Sequence, residues 1–379
     1  IAAAALLVFV FDFTSFGVIL VLGGPRFATL EVAIYRETVH YLNLPLAAAL
    51  SVIQILFTFT LMAVYTRLQA ITALPVELRS HRATQRRPQG WREVLLVTST
   101  VMLVVLMLVL PLLALVQRSL TLGGRPSLSH YRALLSNPRG SAFYVPPVAA
   151  VRNSVSFALA TVALSMVLGL VAASLLQRRG GGMRSPRDNG GSVGGGESRL
   201  RSVWRGLERL LDPILMLPLG TSAVTLGLGY IVALDEPPLT LRTSPLLVVL
   251  AHTLVALPFV VRSVLPALRS IQPRLREAAA VMGASPWLVW REVDLPIVAR
   301  AVLVGAVFAF TVSMGEFGAT SLIARPERPT MPVAIFRFLG RPGRTNYGQA
   351  LAMSTLLMLV CTVGFLAIEH FRVGGREEF

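Results

Sequence analysis

Long apolar runs separated by short polar segments dominate the chain. A membrane-spanning helix needs roughly 20 predominantly apolar residues, and eight runs of about this length can be marked. They cover residues 1–22, 45–66, 94–116, 150–176, 211–233, 245–265, 299–322 and 348–370. Several contain Gly or Pro, which membrane helices tolerate. The pattern predicts an all-α integral membrane protein, a polytopic helical bundle. It disfavours a barrel, whose strands are about ten residues long and alternate in polarity.

Arginine is concentrated in alternate loops. The chain is 54% hydrophobic and carries a net charge of +16, and all 35 of its basic residues are Arg. If residues 262–300 are cytoplasmic, alternation of the runs places 67–92, 178–209 and the C-terminal tail on the same side. These four segments hold 22 of the 35 arginines. The bias has the positive-inside sign, so membrane orientation accounts for the charge and we expect no nucleic-acid partner.

The sequence lacks the patterns that would indicate catalysis. A Walker A loop needs a Lys on the phosphates, and the chain has no Lys. It has no HExxH, GxSxG or CxxC motif, its five His residues are scattered, and Cys361 is its single Cys. We therefore expect a protein that is not an enzyme, without catalytic residues, metal site or cofactor. Any ATP hydrolysis belongs to a partner chain.

An internal repeat relates the two ends of the chain. A shift of 301 residues aligns 1–66 with 302–367 without a gap, and the polar pattern TxxVAIxR occurs in both copies, at Thr29 and at Thr330. Apolar bias does not explain matches in a polar linker. The repeat predicts one complete half preceded by the last two spans of a homologous half. We interpret the chain as an N-terminally truncated piece of a longer duplicated protein.

The repeat also predicts the domain organisation. Residues 1–66 are the C-terminal part of the first half and 93–379 are the second half. Between them, 67–92 is basic and contains two Pro residues, which suits a cytoplasmic linker. A Gly-rich stretch at about 180–198 predicts a disordered cytoplasmic insertion within the second half.

One segment between two apolar runs has an unusual pattern, REAAAVMGASPWLVWREVDLPIVARA from Arg276 to Ala301. Pro273 suits the first turn of a helix, and the Ala-rich run after it predicts two helical turns. Gly283 is the expected C-terminal stop, and Ser285-Pro286 predicts a cap and the start of a second short helix. The segment therefore predicts a compact helix–turn–helix, here called the knob. Trp287 and Trp290 leave a second interpretation open, an interfacial loop anchored by tryptophan.

The knob resembles the EAA loop of permease subunits of binding-protein-dependent ATP-binding-cassette (ABC) importers. That loop shows Glu-Ala-Ala, a Gly four residues later and Leu-Pro about a dozen residues further. The matching residues here are Glu277, Ala278, Ala279, Gly283, Leu295 and Pro296. The resemblance covers about 150–370, and 1–66 as the tail of a second copy. It implies the fold of a type I ABC importer transmembrane domain, in the fused two-half subgroup similar to ferric iron and thiamine permeases.

The resemblance also implies partners and a location. The knob would dock into a separate cytoplasmic ABC ATPase dimer, with Glu277 in contact, Gly283 allowing the turn and Leu295-Pro296 setting the angle of the next span. An extracytoplasmic substrate-binding protein would select the cargo. The chain would lie in a bacterial or archaeal cytoplasmic (inner) membrane, with the knob cytoplasmic. Thiamine-like or ferric cargo ranks first, and sulfate- or molybdate-type anions rank lower.

Polar groups inside apolar runs are candidates for a substrate path, because they are expensive there and often functional. The candidates are Asp12, Ser15, Ser313 and Glu316. Ser15 aligns with Glu316 in the repeat. A structural hydrogen bond near the outer interface is the alternative for each. For Asp212 and His252 we expect structural roles.

A secondary transporter is the competing function class, because such proteins also contain repeats and broken helices. Their repeats are usually inverted or complete within one chain, and they need no ATPase-docking knob. The parallel repeat and the knob favour the importer.

Overall fold

In a computed structural model of the protein, most of the described residues are helical. The description covers residues 2–24, 26–72, 88, 90–136, 146–180, 215, 217–218, 220–234, 241–242 and 244–373. Most of the predicted linker and insertion, together with Asp212, lies outside these ranges, so the predicted domain boundaries stay predictions.

Fifteen α-helices with defined ends, one π-helical segment and one small hairpin lie in this described part. The helices of the first copy are α1 (Ala2–Phe13), α2 (Gly17–Leu22), α3 (Leu30–Val39) and α4 (Leu44–Thr72). Then follow α5 (Trp91–Ser119), β1 (Thr121–Leu122), β2 (Arg125–Pro126), α6 (Ser129–Leu134), α7 (Pro147–Gly180), α8 (Ala223–Leu234) and α9 (Leu246–Ser270). The last are α10 (Pro273–Val281), α11 (Pro286–Val289), a π segment (Trp290–Asp294), α12 (Leu295–Gly315), α13 (Gly318–Ile323), α14 (Met331–Leu339) and α15 (Arg344–Val373).

Six helical segments in the described ranges are long and apolar enough to cross a membrane, where the sequence predicts eight. They are Leu44–Tyr65, Trp91–Ser119, Pro147–Gln177, Leu246–Ser270, Pro286–Gly315 and Arg344–His370. The two predicted runs without a candidate span are 1–22 and 211–233, because each is broken into shorter helices in its described part. A third run, 299–322, is also broken, but most of it belongs to the span Pro286–Gly315.

Two of these breaks occur at corresponding places in the two copies. The run 1–22 is interrupted between Phe13 and Gly17, and the run 299–322 between Gly315 and Gly318. In the second copy the backbone turns extended at Glu316 (ψ 121°), which ends α12. In the third run, 211–233, Ser222 starts the 12-residue helix α8 by accepting hydrogen bonds from the N–H groups of Val224 and Thr225.

The repeat is visible in the helices. Shifted by 301 residues, α2 falls on α13, α3 on α14 and α4 on α15, each within about one residue at either end. Thr29 and Thr330 precede α3 and α14 with nearly identical backbone angles, φ −81° in both and ψ 171° and 168°. Similar sequences therefore fold into similar local structures at both ends of the chain.

Helices α7, α9 and α12 form the largest buried apolar core. Val260 on α9 lies at its centre and is fully buried. Gly169 on α7 approaches it so closely that a Cβ atom at this position would collide with the Val260 side chain. This core fixes α12, the helix that follows the knob, within the second half.

Candidate functional site

The knob ends its first helix with a left-handed glycine. Gly283 has φ +86° and its N–H donates to Ala280 O at 3.0 Å, while Ala284 N–H donates to Ala279 O at 3.0 Å. This pair of bonds is the Schellman arrangement that satisfies the last carbonyls of a helix. No neighbouring atom lies within 4 Å of a Cβ built at Gly283, so backbone conformation alone requires the glycine. The predicted stop at Gly283 is confirmed.

The second helix of the knob is continuous with the next span. Ser285 caps it by accepting from Leu288 N–H at 3.3 Å, as predicted, and Pro286 is in its first turn. The prediction of a separate short helix was wrong, because the π segment joins α11 to α12 without a break. Pro296 has no N–H to donate to the preceding turn, and a π turn directly before it accommodates this loss. The second helix of the knob and α12 therefore form one continuous helical stretch, Pro286–Gly315.

An ion pair that the sequence analysis missed closes the knob. Arg276 Nε on α10 donates to Asp294 Oδ1 at 2.8 Å, with the two side chains 26% and 12% exposed. The pair ties the first helix to the residue directly before Leu295. The sequence offered one indication of this pair, the acidic residue Asp294 directly before an apolar run.

The solvent-exposed surface of the knob combines polar and apolar groups. Glu277 and Ala278 are exposed, whereas Ala279 is buried against the rest of the knob. Val281, Met282 and Trp287 are 89%, 80% and 66% exposed, and the rings of Trp287 and Trp290 stack at 5.0 Å. Contiguous exposed apolar side chains mark a surface that contacts another protein or a membrane.

Ser313 and Glu316 come together in a buried polar network centred on His252. The two ring nitrogens of His252 lie 2.7 Å from the hydroxyls of Ser313 and Thr320, and Nε2 lies 3.2 Å from Glu316 Oε2. Ser313 also donates to Thr161 at 3.5 Å. His252 and Thr320 have no exposed surface, and Ser313 and Glu316 have 4% and 6%. The network joins α7, α9, α12 and α13.

Glu316 also caps α13. Its carboxylate accepts from the N–H groups of Ala319 at 2.8 Å and Thr320 at 3.0 Å, and it bonds to the Thr320 hydroxyl. A carboxylate at the start of a helix satisfies N–H groups that have no partner within the helix. Glu316 thus holds the break between α12 and α13 in a fixed geometry.

The candidates of the first copy have different surroundings. Asp12 is exposed and Ser15 is half-buried, so the aligned pair Ser15 and Glu316 is not matched in burial. The buried acid of this copy is Glu31, which the sequence analysis did not select. It accepts from Gln54 Nε2 at 3.0 Å, and Gln54 in turn accepts from Thr225 of α8 at 3.2 Å. Burial raises the pKa of Glu31 from its usual 4.5 to about 8.

Neither network has the composition of a metal centre. Among the described residues, no group of three or more His, Cys, Asp or Glu side chains is placed to hold a metal ion. What both networks do is join elements across the bundle through hydrogen bonds inside an apolar surrounding, where such bonds fix geometry strongly.

Comparison with known proteins gives one family match. Residues 196–372 match the family described as binding-protein-dependent transport system inner membrane component. This range contains the knob, the second copy of the repeat and all members of the His252 network except Thr161.

Three relatives are about one third identical to the chain over the segments that align. A 2-aminoethylphosphonate transport system permease of Salmonella typhimurium is 33% identical over 163 residues, 43% of this chain and 60% of the relative. A molybdenum transport system permease of Mycobacterium tuberculosis is 34% identical over 175 residues, 43% of this chain and 65% of the relative. A sulfate transport system permease of Anthoceros angustus is 33% identical over 133 residues, 34% of this chain and 45% of the relative. The chain thus spans less than two thirds of the length of these relatives.

A solved structure shares the fold. The crystal structure of a bacterial ABC transporter involved in import of the acidic polysaccharide alginate superposes with a TM-score of 0.53 and 19% identity. The match covers 74% of this chain and 94% of that chain.

Proposed function

We propose that this chain is a permease subunit. Residues 196–372 match the binding-protein-dependent transport system inner membrane component family, and the chain has the fold of a type I ABC importer transmembrane domain. It forms a translocation path through the cytoplasmic (inner) membrane and is driven by a separate ATPase. The observation that carries the proposal is the knob, an exposed helix–turn–helix directly continuous with a span.

The knob is the coupling element. Its tip presents Glu277 beside exposed Val281 and Met282, which suits a groove on the cytoplasmic ATPase dimer. The Arg276–Asp294 pair and the π segment make the knob and α12 move as one body. Leu295 and Pro296 lie at the joint between them. Rocking of the ATPase dimer would therefore tilt α12 and open or close the path.

The path lies between the two copies. Equivalence of α2–α4 with α13–α15 supports the interpretation of 1–66 as the end of a first permease half and 93–379 as the second. Asp12 and Ser15 approach the path from the first half, and Ser313 and Glu316 from the second. Since Ser313 and Glu316 are buried in the His252 network, they position the wall of the path in this conformation.

The cargo is a small oxyanion selected by an extracytoplasmic substrate-binding protein. The three relatives are named for 2-aminoethylphosphonate, molybdenum and sulfate transport, and none of the three is named for thiamine or iron. This reverses the order expected from the sequence, which placed thiamine-like or ferric cargo first. Transport assays test this choice. The uptake rates of sulfate, molybdate and 2-aminoethylphosphonate are compared with those of thiamine and ferric ion.

The proposal is tested by affinity purification of the tagged full-length protein in mild detergent. We expect a P-loop ATPase to copurify with the wild type and to be lost from Glu277→Lys. The control is Glu327→Lys, the same charge change at an exposed glutamate of the loop before α14, which should retain the ATPase. Absence of an ATPase from the wild type under all nucleotide conditions contradicts the proposal and favours a secondary transporter.

A further inference from the structure

Four aromatic rings meet where the two copies join. Phe16 and Tyr35 belong to the first copy, and Phe317 and Phe336 are their equivalents under the 301-residue shift. Phe16 stacks on Phe317 at 5.5 Å and 17°, and Tyr35 meets Phe336 edge-on at 6.4 Å. Within the copies, Phe16 lies 5.2 Å from Tyr35 and Phe317 lies 5.2 Å from Phe336. The four rings form a closed cycle, which we call the aromatic quartet.

The quartet lies on a local two-fold axis. Under a two-fold rotation, a residue contacts its own equivalent only if both are close to the axis. Both contacts between the copies, Phe16 with Phe317 and Tyr35 with Phe336, pair equivalent residues. The two contacts within the copies are also alike, with interplanar angles of 55° and 54°. A path formed between two related halves follows this axis, so the quartet stands across it.

The quartet is tightly packed. Phe16 and Tyr35 are 6% and 5% exposed and belong to one apolar cluster with Val224 and Leu228 of α8, and Phe317 and Phe336 are half-buried. Gly17 allows the stacking, since a Cβ atom there would lie 3.3 Å from the Phe317 ring. The four centroid distances, 5.2–6.4 Å, correspond to direct contact between aromatic faces and edges. A hydrated solute therefore cannot pass between the rings in this arrangement.

The quartet stands at the end of α12 opposite the knob. Phe317 follows Gly315 by two residues, and the helical stretch Pro286–Gly315 runs without a break from the knob to this point. At 1.5 Å per residue this stretch is roughly 45 Å long. Glu316, fixed by its cap on α13, connects the end of that helix to Phe317. A tilt of the helix at the knob therefore displaces Phe317 at the other side of the membrane.

From this geometry we infer that the aromatic quartet is the outer gate of the path, and that the contacts Phe16–Phe317 and Tyr35–Phe336 break whenever the path opens outward. The inference rests on the proposed permease function and deepens it by naming the residues that close the path. The contacts within each copy, Phe16–Tyr35 and Phe317–Phe336, stay intact and move with their own half.

The inference is tested by a cleavable cross-link between the two copies at the gate. In a Cys361→Ser background, the pair Phe16→Cys and Phe317→Cys is linked with a short bifunctional thiol reagent that a reductant cleaves. The control pair is Phe259→Cys and Phe308→Cys, which replaces a second stacked ring pair at 6.0 Å and 18°. Both control residues lie in the second half, on α9 and α12. Titration of remaining thiols verifies equal cross-linking.

We expect the linked gate pair to lose transport in the complete transporter and to regain it on reduction, while the linked control pair keeps transporting. Transport by the linked gate pair at the rate of the linked control overturns the inference. The comparison uses the same protein before and after cleavage, so a folding defect does not imitate the result.

A second measurement needs no ATPase and so separates the gate from the proposed coupling. Vesicles holding the full-length protein are loaded with labelled sulfate, and its escape is followed without nucleotide. Phe16→Ala with Phe317→Ala should release sulfate faster than the wild type, and Phe259→Ala with Phe308→Ala should not. Release at the wild-type rate overturns the gate. Faster release from a protein that never recruits an ATPase keeps the gate and refutes the ABC coupling instead.

Discussion

Replacement of Gly283 by Ala tests whether the glycine is needed for its backbone conformation or for close contact at the tip of the knob. Gly283 has φ +86° with empty space around its Cβ position, so an added methyl group meets no atom of the protein. The remaining penalty is that of an L-residue in the left-handed region, about 1–2 kcal/mol. A change of that size shifts the equilibrium between closed and opened knob by roughly five- to thirty-fold.

Hydrogen exchange of the full-length protein in detergent measures this shift. Amides of residues 273–294 should exchange faster in Gly283→Ala by about the same factor, because exchange follows the population of the locally opened state. Gly229→Ala is the control. Gly229 is an exposed glycine of α8 that also has empty space at its Cβ position and does not have a positive φ, so exchange in the knob should not change.

A series at position 283 distinguishes the two explanations. If φ is the cause, Asn should be milder than Ala, because Asn adopts the left-handed conformation more readily, and Val should be the most severe. If side-chain size at a docking surface were the cause, loss of ATPase binding would follow volume and Asn would be worse than Ala. A series ordered by size, or an unchanged Gly283→Ala, refutes the conformational argument.

Three further predictions concern buried or paired charges. Asp294→Ala should speed exchange in the knob by breaking the partly buried pair with Arg276, whereas Glu292→Ala, which breaks an exposed pair, should have no effect because such pairs contribute little. Glu316→Ala should lower both cargo flux and thermal stability without loss of the ATPase, since it leaves two buried N–H groups unpaired at about 1–3 kcal/mol each; unchanged flux and melting temperature contradict this role. Glu31 keeps its proton in the folded protein up to about pH 8 but loses it near pH 4.5 when unfolded, so stability should fall as pH rises through this window. Glu31→Gln should abolish that fall, measured as melting temperature at pH 6 and pH 9, and an equal fall in both proteins contradicts the assignment.

Local signals in the sequence predicted the knob well. Pro273, Gly283 and Ser285 each restrict the backbone or supply a cap through chemistry within a few residues, and the structure has these features at the predicted positions. The repeat could also be found from the sequence, because aligning the chain with itself requires no knowledge of tertiary contacts. Helix ends and caps can thus be predicted where their cause lies within one helical turn.

Contacts between distant elements were beyond the sequence. Glu31, His252 and Asp294 act through partners that lie 18 or more residues away in the chain, and hydropathy does not reveal which polar groups will meet. The breaks after Phe13 and Gly315 were missed for a related reason. The apolar runs continue through them, and in the second copy the helix ends because Glu316 finds its partners in α13 and α9.

The aligned positions 15 and 316 differ in a way that a symmetric homodimer does not permit. Each directly precedes a phenylalanine that touches its own equivalent, Phe16 or Phe317. In a symmetric homodimer a glutamate at this position would occur twice beside the axis, and two buried carboxylates so close would repel each other and resist ionisation. Here one copy carries Glu316 and the other carries Ser15. Because the two copies are separate segments of sequence, positions 15 and 316 can mutate independently, and an acid can be acquired on one side alone.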